Sequence, residues 1–138
     1  MSGQPVSFDL IEWPKWIYDT DPACRAVVAM RQLQPDAALG YFETLQHGFY
    51  RENRDLTDTA VLLELAEPID CDKAEFADLI AQQDLAESDY AEARALGAGG
   101  FPYLILDTGT EMVPVSVGFS RAENILRKIN TLTASTPD

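Results

Sequence analysis

The chain has 138 residues and a formal net charge of −13, with 23 acidic and 10 basic side chains. This charge argues against nucleic acid and anionic membranes as partners, because binding to phosphates needs Lys and Arg. The length suits one domain with a real core, and a hydrophobic content of 46% is ordinary for a globular protein. We find neither an apolar run of about 20 residues nor a signal-peptide pattern, so we expect a cytoplasmic chain with reduced cysteines.

Residues 1–20 are expected to form an extended N-terminal segment. Apolar and polar residues alternate over positions 6–10, which indicates a short strand with one covered face. Pro14 interrupts this pattern. Trp13 and Trp16 on either side of it are expected to cover the outside of a helical core, with a peptide-binding patch as the alternative.

Residues 21–97 are expected to form a helical domain of about five helices. Asp21 and Pro22 predict the start of the first helix, with Asp21 as its cap. The second helix has apolar residues at helical spacing, namely Ala38, Leu39, Phe42, Leu45 and Phe49. Three of the predicted helices span about 21–33, 35–50 and 83–96. Another spans about 58–66, with Thr57 or Asp58 as its cap, and is stopped by Pro68. A further helix starts from a capping box at Asp72.

The two cysteines stand 47 positions apart and form no redox motif. Cys24 falls in the first turn of the first predicted helix, where the helix dipole favours a thiolate, so it is the candidate for a reactive thiol. The alternative for Cys24 is a small residue packed inside. Cys71 precedes the cap Asp72 and is expected to pack there with Phe76, and we expect no bridge between the two cysteines. The sequence predicts neither a metal site nor a cofactor.

A glycine-rich loop follows the helical region. Gly97, Gly99 and Gly100 release the chain from helical structure, and Pro102 fixes φ before an apolar run at 103–106. That run lacks alternation, which predicts a strand buried on both faces. A turn at 108–109, a returning strand at 111–117 and a helix at 121–132 follow, and we expect a disordered tail at 133–138.

The Gly-Phe-Pro sequence, followed by a strand, a hairpin and a final helix, resembles the second half of a thioredoxin fold. The order of the helices before it resembles the DsbA family, and the sequence segments at 18–28 and 53–58 resemble its FrnE-like disulfide isomerase branch. The resemblance implies an α/β, mostly α fold, in which a helical insertion domain precedes the C-terminal half of a thioredoxin-like domain at 98–132. It also implies a cis Phe101–Pro102 bond. The leading β-α-β unit with its Cys-x-x-Cys pair has no counterpart in this sequence.

The resemblance implies a thiol–disulfide oxidoreductase in which Gly100, Phe101 and Pro102 line the substrate groove and pair with an extended thiol or peptide substrate. Because the family's chemistry needs a low-pKa thiolate and a resolving cysteine, we expect a fragment or truncated relative that is not redox-active by itself. The alternatives are a non-catalytic helical interaction module and a glutathione-binding relative of the same fold.

The composition of the run at 103–106 is typical of a central strand. A hairpin by itself would leave the backbone groups of this strand unpaired and an apolar face in water. Either the segment at 6–10 pairs back on it, or a second copy of the chain covers it. We expect the homodimer, because alternating polar residues suit an edge better than the centre of a sheet.

Overall fold

Four helices, a 3₁₀ turn and the N-terminal segment make up the first of two units in this computed structural model, which describes residue 3 and residues 5–134. This unit extends through Glu87, and the second begins at Ser88. Residues 135–138 of the predicted tail lie outside the described part. The elements of the first unit are α1 (Asp21–Leu33), the 3₁₀ turn Pro35–Ala37, α2 (Ala38–Glu52), α3 (Thr59–Ala66) and α4 (Lys73–Ile80).

The N-terminal segment pairs with the end of α2 through single hydrogen bonds. The Ser7 N–H donates to the Tyr50 carbonyl at 2.8 Å, and the Leu10 N–H donates to the Asn53 side-chain oxygen at 3.2 Å. Leu10 is buried, at 1% exposed. The prediction of a strand at 6–10 is therefore wrong, because the backbone groups of this segment bond to the C-terminal end of a helix and not to another strand.

Aromatic packing lies at the centre of the first unit's core. The rings of Tyr41 and Phe76 meet edge to face at 5.8 Å, and both residues are fully buried. The Tyr41 hydroxyl donates to the Leu62 carbonyl at 2.8 Å, and burial of the phenol strongly raises the pKa of Tyr41. On α2, Ala38 and Leu45 are buried as predicted, whereas Leu39 is 81% and Phe42 44% exposed.

Aspartate side chains cap two of the helices as predicted. Asp58 accepts from the Ala60 N–H at 2.9 Å at the start of α3, and Asp72 accepts from the backbone N–H groups of Ala74 and Glu75 at the start of α4. At α1 the prediction is wrong by one residue. Thr20 is the N-cap and Asp21 is the first helical residue, so its carboxylate is available to side chains of the helix.

The second unit contains a hairpin and two helices. The first of these helices, α5, starts at Glu87, the last residue of the first unit. The elements of the second unit are α5 (Glu87–Ala95), β1 (Tyr103–Asp107), β2 (Met112–Val117) and α6 (Ala122–Ala134). The helix predicted from residue 83 starts at Glu87. Residues before it form tight turns, with the Leu85 N–H donating to the Gln82 carbonyl, and Leu85 packs on the core of the first unit.

β1 and β2 form a two-stranded antiparallel sheet, and α6 packs on β2. The register pairs Tyr103 with Val117 and Asp107 with Met112, with a bulge between Leu104 and Ile105. Leu104 is 43% exposed, so β1 is not buried on both faces as predicted. In the described residues, six helices and the sheet give the mostly helical α/β architecture that the sequence predicts. The division of the chain into segments 1–20, 21–97, 98–132 and 133–138 stays a prediction. No helix in the described residues is both long and apolar enough to cross a bilayer.

Candidate substrate-binding loop

The loop between α5 and β1 begins at a glycine that its backbone requires. Gly97 has φ of +83°, a left-handed conformation that costs glycine little, and its N–H closes the helix end by donating to the Arg94 carbonyl at 3.0 Å. The next residues, Gly99 and Gly100, are exposed. The Phe101–Pro102 peptide bond is cis, as predicted.

Hydrogen bonds at the two ends of the hairpin show which way each backbone group of β1 points. The Gly118 N–H donates to the Pro102 carbonyl at 2.8 Å, and the Thr108 N–H donates to the Glu111 carbonyl at 3.0 Å. Since successive residues of an antiparallel strand alternate between facing the partner strand and facing away, odd-numbered residues of this stretch face away from β2. Phe101 lies just before β1, beyond the cis bond, and is in neither strand of the sheet.

Phe101 presents both its backbone and its ring. Among the described residues no protein group hydrogen-bonds to its N–H or C=O, and the residue is 80% exposed. A donor and an acceptor without a protein partner, beside an apolar ring, are what an extended chain needs for one step of strand pairing. Gly100, Phe101 and Pro102 carry no titratable or nucleophilic side chain, so this loop can hold a substrate but supplies no chemistry of its own.

The candidate thiol lies in the other unit. Cys24 is half-buried in the first turn of α1, and its backbone N–H donates to the Thr20 carbonyl at 3.0 Å. The pKa of the Tyr18 hydroxyl is raised by burial first, and the Tyr50 and Cys24 groups raise it further. The thiol thus sits beside phenol groups and helix backbone.

Cys71 has a structural setting, as the sequence predicts. It is half-buried against the core, and the Lys73 ammonium group contacts its Sγ at 3.5 Å. The same ammonium group donates to the carbonyls of Ala66 and Ile69, which ties the end of α3 to the start of α4. Both cysteines are free thiols, which confirms the prediction that they are not bridged. In the described part of the chain no three His, Cys, Asp or Glu side chains cluster as a metal would require.

The tryptophans divide between packing and exposure. Trp16 is half-buried, and its ring stacks on Phe49 of α2 at 6.1 Å, so it covers the helical unit as predicted. Trp13 is 54% exposed. The sequence predicted that a hairpin by itself leaves backbone groups of the strand at 103–106 unpaired. That prediction did not draw on Pro114, which marks β2 as the strand suited to a sheet edge.

The order of the elements and the loop before β1 define a DsbA-like protein with the C-terminal part of a thioredoxin-like sheet. The chain is similar to the crystal structure of a candidate protein disulfide isomerase from Nitrosomonas europaea, with 26% identity and a TM-score of 0.86, over 97% of this chain and 68% of that one. In the present chain, Cys24 and Cys71 are not arranged as a Cys-x-x-Cys pair.

A second solved protein of this class is the cytosolic disulfide reductase DsbM from Pseudomonas aeruginosa. One structure of it has 23% identity and a TM-score of 0.79, over 97% of this chain and 70% of that one. A second structure of DsbM, with GSH, has the same identity and a TM-score of 0.77, over 96% of this chain and 69% of that one. At this identity the DsbM likeness shows the fold. No protein-family model matches the chain, and no curated protein does.

Proposed function

We propose that this chain is a fragment or truncated relative of a DsbA-like thiol–disulfide oxidoreductase in which Gly100, Phe101 and Pro102 bind the substrate. The observation that carries the proposal is that the N–H and C=O of Phe101 have no protein partner among the described residues and lie beside an exposed ring. The DsbA-like fold supports it, because the solved proteins that share this fold are named for disulfide chemistry. The proposed partners are a thiol or peptide substrate and a second copy of the chain.

The loop orients a substrate by adding it as a short strand beside Phe101. The Phe101 N–H donates to a substrate carbonyl, its C=O accepts from a substrate N–H, and the ring covers an apolar part of the substrate. Disulfide exchange itself needs a thiolate that attacks one sulfur and releases the other as a thiol, and a second thiol that then displaces the first. With Cys24 in α1 and Cys71 ahead of α4, this chain has no adjacent resolving pair, and we propose that it is not redox-active by itself.

Glutathione is the thiol substrate that the comparisons favour. DsbM has been solved with GSH, and glutathione has a short peptide backbone with the groups that Phe101 needs. DsbM is also named as cytosolic, which supports a cytoplasmic location for this chain. Cys24 remains the proposed reactive thiol, since it lies within the first turn of α1, whereas Cys71 lies ahead of the cap of α4 and packs on the core.

The loop is tested by titrating the ¹⁵N-labelled chain with S-methylglutathione, which cannot exchange disulfides. We expect the amide signals of Gly100 and Phe101 to shift, while those of Gly109 and Thr110 in the hairpin turn stay in place. Phe101→Ala is expected to weaken binding by about tenfold, because about 1.4 kcal/mol of apolar contact is lost. Phe119→Ala is the matched control, since Phe119 is also exposed, at 70%, in the same unit. Equal affinities of the two variants would contradict the proposed site.

Redox inactivity is tested by insulin reduction with glutathione as the electron donor. We expect insulin to be reduced no faster with the chain than in buffer alone, and we expect Cys24→Ser to leave the rate of reduction unchanged. A rate clearly above buffer that disappears in Cys24→Ser would overturn the proposed inactivity and identify Cys24 as a working thiol. A chain that neither reduces insulin nor binds S-methylglutathione would instead be the non-catalytic interaction module.

A further inference from the structure

The connection between α3 and α4 holds a lysine and a cysteine in contact. The Lys73 ammonium group donates to the Cys71 sulfur at 3.5 Å and to the Ala66 carbonyl at 2.7 Å, and it also donates to the Ile69 carbonyl. An ammonium group has three donors, so each of them is used within the protein. The backbone fixes Cys71 as well, because its N–H donates to the Ile69 carbonyl at 3.0 Å.

This ammonium group has no carboxylate partner. The chain has 23 acidic side chains, yet none in the described residues lies within ion-pair distance of Lys73. Lys73 is half-buried, and a charge withdrawn from water favours a counter-ion close to it. The carbonyls at the end of α3 stabilise the ammonium group through the helix dipole, but they carry no net charge. Of its three acceptors, only the Cys71 sulfur can become anionic.

The phenol near Cys71 stays neutral. Burial raises the pKa of the Tyr41 hydroxyl, and the Cys71 group raises it further. The proton of that hydroxyl is donated to the Leu62 carbonyl at 2.8 Å. Lys73 is therefore the charged group in contact with this thiol. Because Cys71 is half-buried against the core, its sulfur is open to a small reagent such as hydrogen peroxide.

We propose that Cys71 is a site of oxidation by hydrogen peroxide and that Lys73 assists the reaction. The sulfur attacks one peroxide oxygen, the O–O bond breaks, and the other oxygen leaves as hydroxide, which takes up the thiol proton. One thiol and one peroxide thus give one sulfenic acid and one water, with the sulfur oxidised by two electrons and the peroxide reduced by two. Lys73 donates a hydrogen bond to the leaving oxygen, where negative charge develops.

The fully oxidised product also suits this pair. A second peroxide adds another oxygen to the sulfur and releases another water, which gives a sulfinic acid. A sulfinic acid is ionised at neutral pH, so its oxygens accept charge-assisted hydrogen bonds from the Lys73 ammonium group and neutralise it. Unlike disulfide exchange, this oxidation consumes a single thiol and needs no resolving cysteine. It is therefore independent of the function proposed for the loop at Phe101.

Two reagents are compared on the full chain carrying Cys24→Ser, in which Cys71 is the only thiol. The thiol that remains after each exposure to peroxide is counted with a chromogenic disulfide reagent in guanidinium chloride, and peptide mapping locates the added oxygen on Cys71. Iodoacetamide alkylates the same thiol in parallel. Iodide leaves without a hydrogen-bond donor, whereas hydroxide needs one. The ratio of the peroxide rate to the iodoacetamide rate therefore separates the contribution of Lys73 from the exposure of the sulfur.

We expect Lys73→Met to lower this ratio by about tenfold, the effect of losing one charge-assisted hydrogen bond in the transition state. Lys15→Met is the matched control, since Lys15 is exposed and its loss changes the net charge equally. We expect the control to stay within about twofold of the parent, because salt screens an exposed charge. Equal ratios in Lys73→Met and Lys15→Met would overturn the proposal.

The folded and unfolded states of the parent give a second comparison, which needs no variant of Lys73 and so decides the question even where Lys73→Met does not fold. We expect the ratio to be about tenfold higher in buffer than in guanidinium chloride, because unfolding separates Lys73 from the Cys71 sulfur. A ratio that is no higher in the folded chain would show that the contact between the two side chains does not assist oxidation, and it would also overturn the proposal.

Discussion

Replacing Phe76 with alanine is expected to lower the free energy of unfolding by about 3–5 kcal/mol. Phe76 is fully buried in α4, and its ring meets that of Tyr41 edge to face at 5.8 Å. Truncation removes the apolar contacts, leaves a cavity and loses the aromatic pair, which alone contributes about 0.5–1.5 kcal/mol. Urea unfolding followed by tryptophan fluorescence measures the loss, because Trp16 stacks on Phe49 in the same unit and reports its packing.

Phe42→Ala is the matched control for this prediction. Phe42 makes the same change in side-chain volume on a helix of the same unit, but it is 44% exposed. We expect a loss of less than about 1 kcal/mol, since much of this ring is already in water. Equal losses in the two variants would show that the core of this unit is not centred on the Tyr41–Phe76 pair.

Features decided by local chemistry were predicted well from the sequence. Asp58 and Asp72 cap their helices because a carboxylate at that position accepts from the free N–H groups of the first turn, whatever the rest of the fold does. The hairpin starts at Tyr103 and turns near Gly109 for similar reasons, since proline and glycine restrict or release the backbone residue by residue.

Features decided by packing were predicted less well. On α2 the expected apolar positions included Leu39 and Phe42, yet Tyr41 is the residue with no exposure. The sequence did not name Tyr41 as a core residue; its hydroxyl donates to the Leu62 carbonyl, which lies 21 residues further along the chain. A side chain with a polar group can be buried in the core when a distant backbone carbonyl accepts a hydrogen bond from it. The sequence does not indicate which carbonyl will do so.

The candidate site shows the same division. Gly100, Phe101 and Pro102 were named through the resemblance to a known family, and the structure gives the loop and its exposed ring. Which backbone groups of the hairpin face each other depends on the register of β1 against β2, and the bulge near Leu104 shifts that register. A bulge adds one residue to one strand, so the direction of each backbone group follows only from the paired structure.

Arg25 is a second residue whose burial the sequence does not indicate. It lies in α1 at only 8% exposed, where its Nε donates to the Asp21 carboxylate at 2.8 Å. Its terminal nitrogen donates to the carbonyl of Ile80, the last residue of α4. The guanidinium thus joins α1 to the C-terminal end of α4, where free carbonyls and the helix dipole favour a cation.

Arg25→Leu is therefore expected to cost about 1.5–3 kcal/mol of unfolding free energy, the range for a lost hydrogen bond to a charged group. The leucine covers similar apolar surface but leaves the Ile80 carbonyl without its donor. Arg31→Leu makes the same change on the exposed side of α1 and is expected to cost less than Arg25→Leu, because solvent screens the contacts of an exposed guanidinium.

Asp21→Asn separates the two contacts of Arg25. The Asp21 side chain is 34% exposed, so solvent screens the ion pair and we expect this variant to lose less than about 1 kcal/mol. The difference between Asp21→Asn and Arg25→Leu then measures the bond to the Ile80 carbonyl. Equal losses in these two variants would assign the stabilisation to the ion pair, and an Arg25→Leu chain as stable as Arg31→Leu would show that α1 and α4 are held together by apolar packing alone.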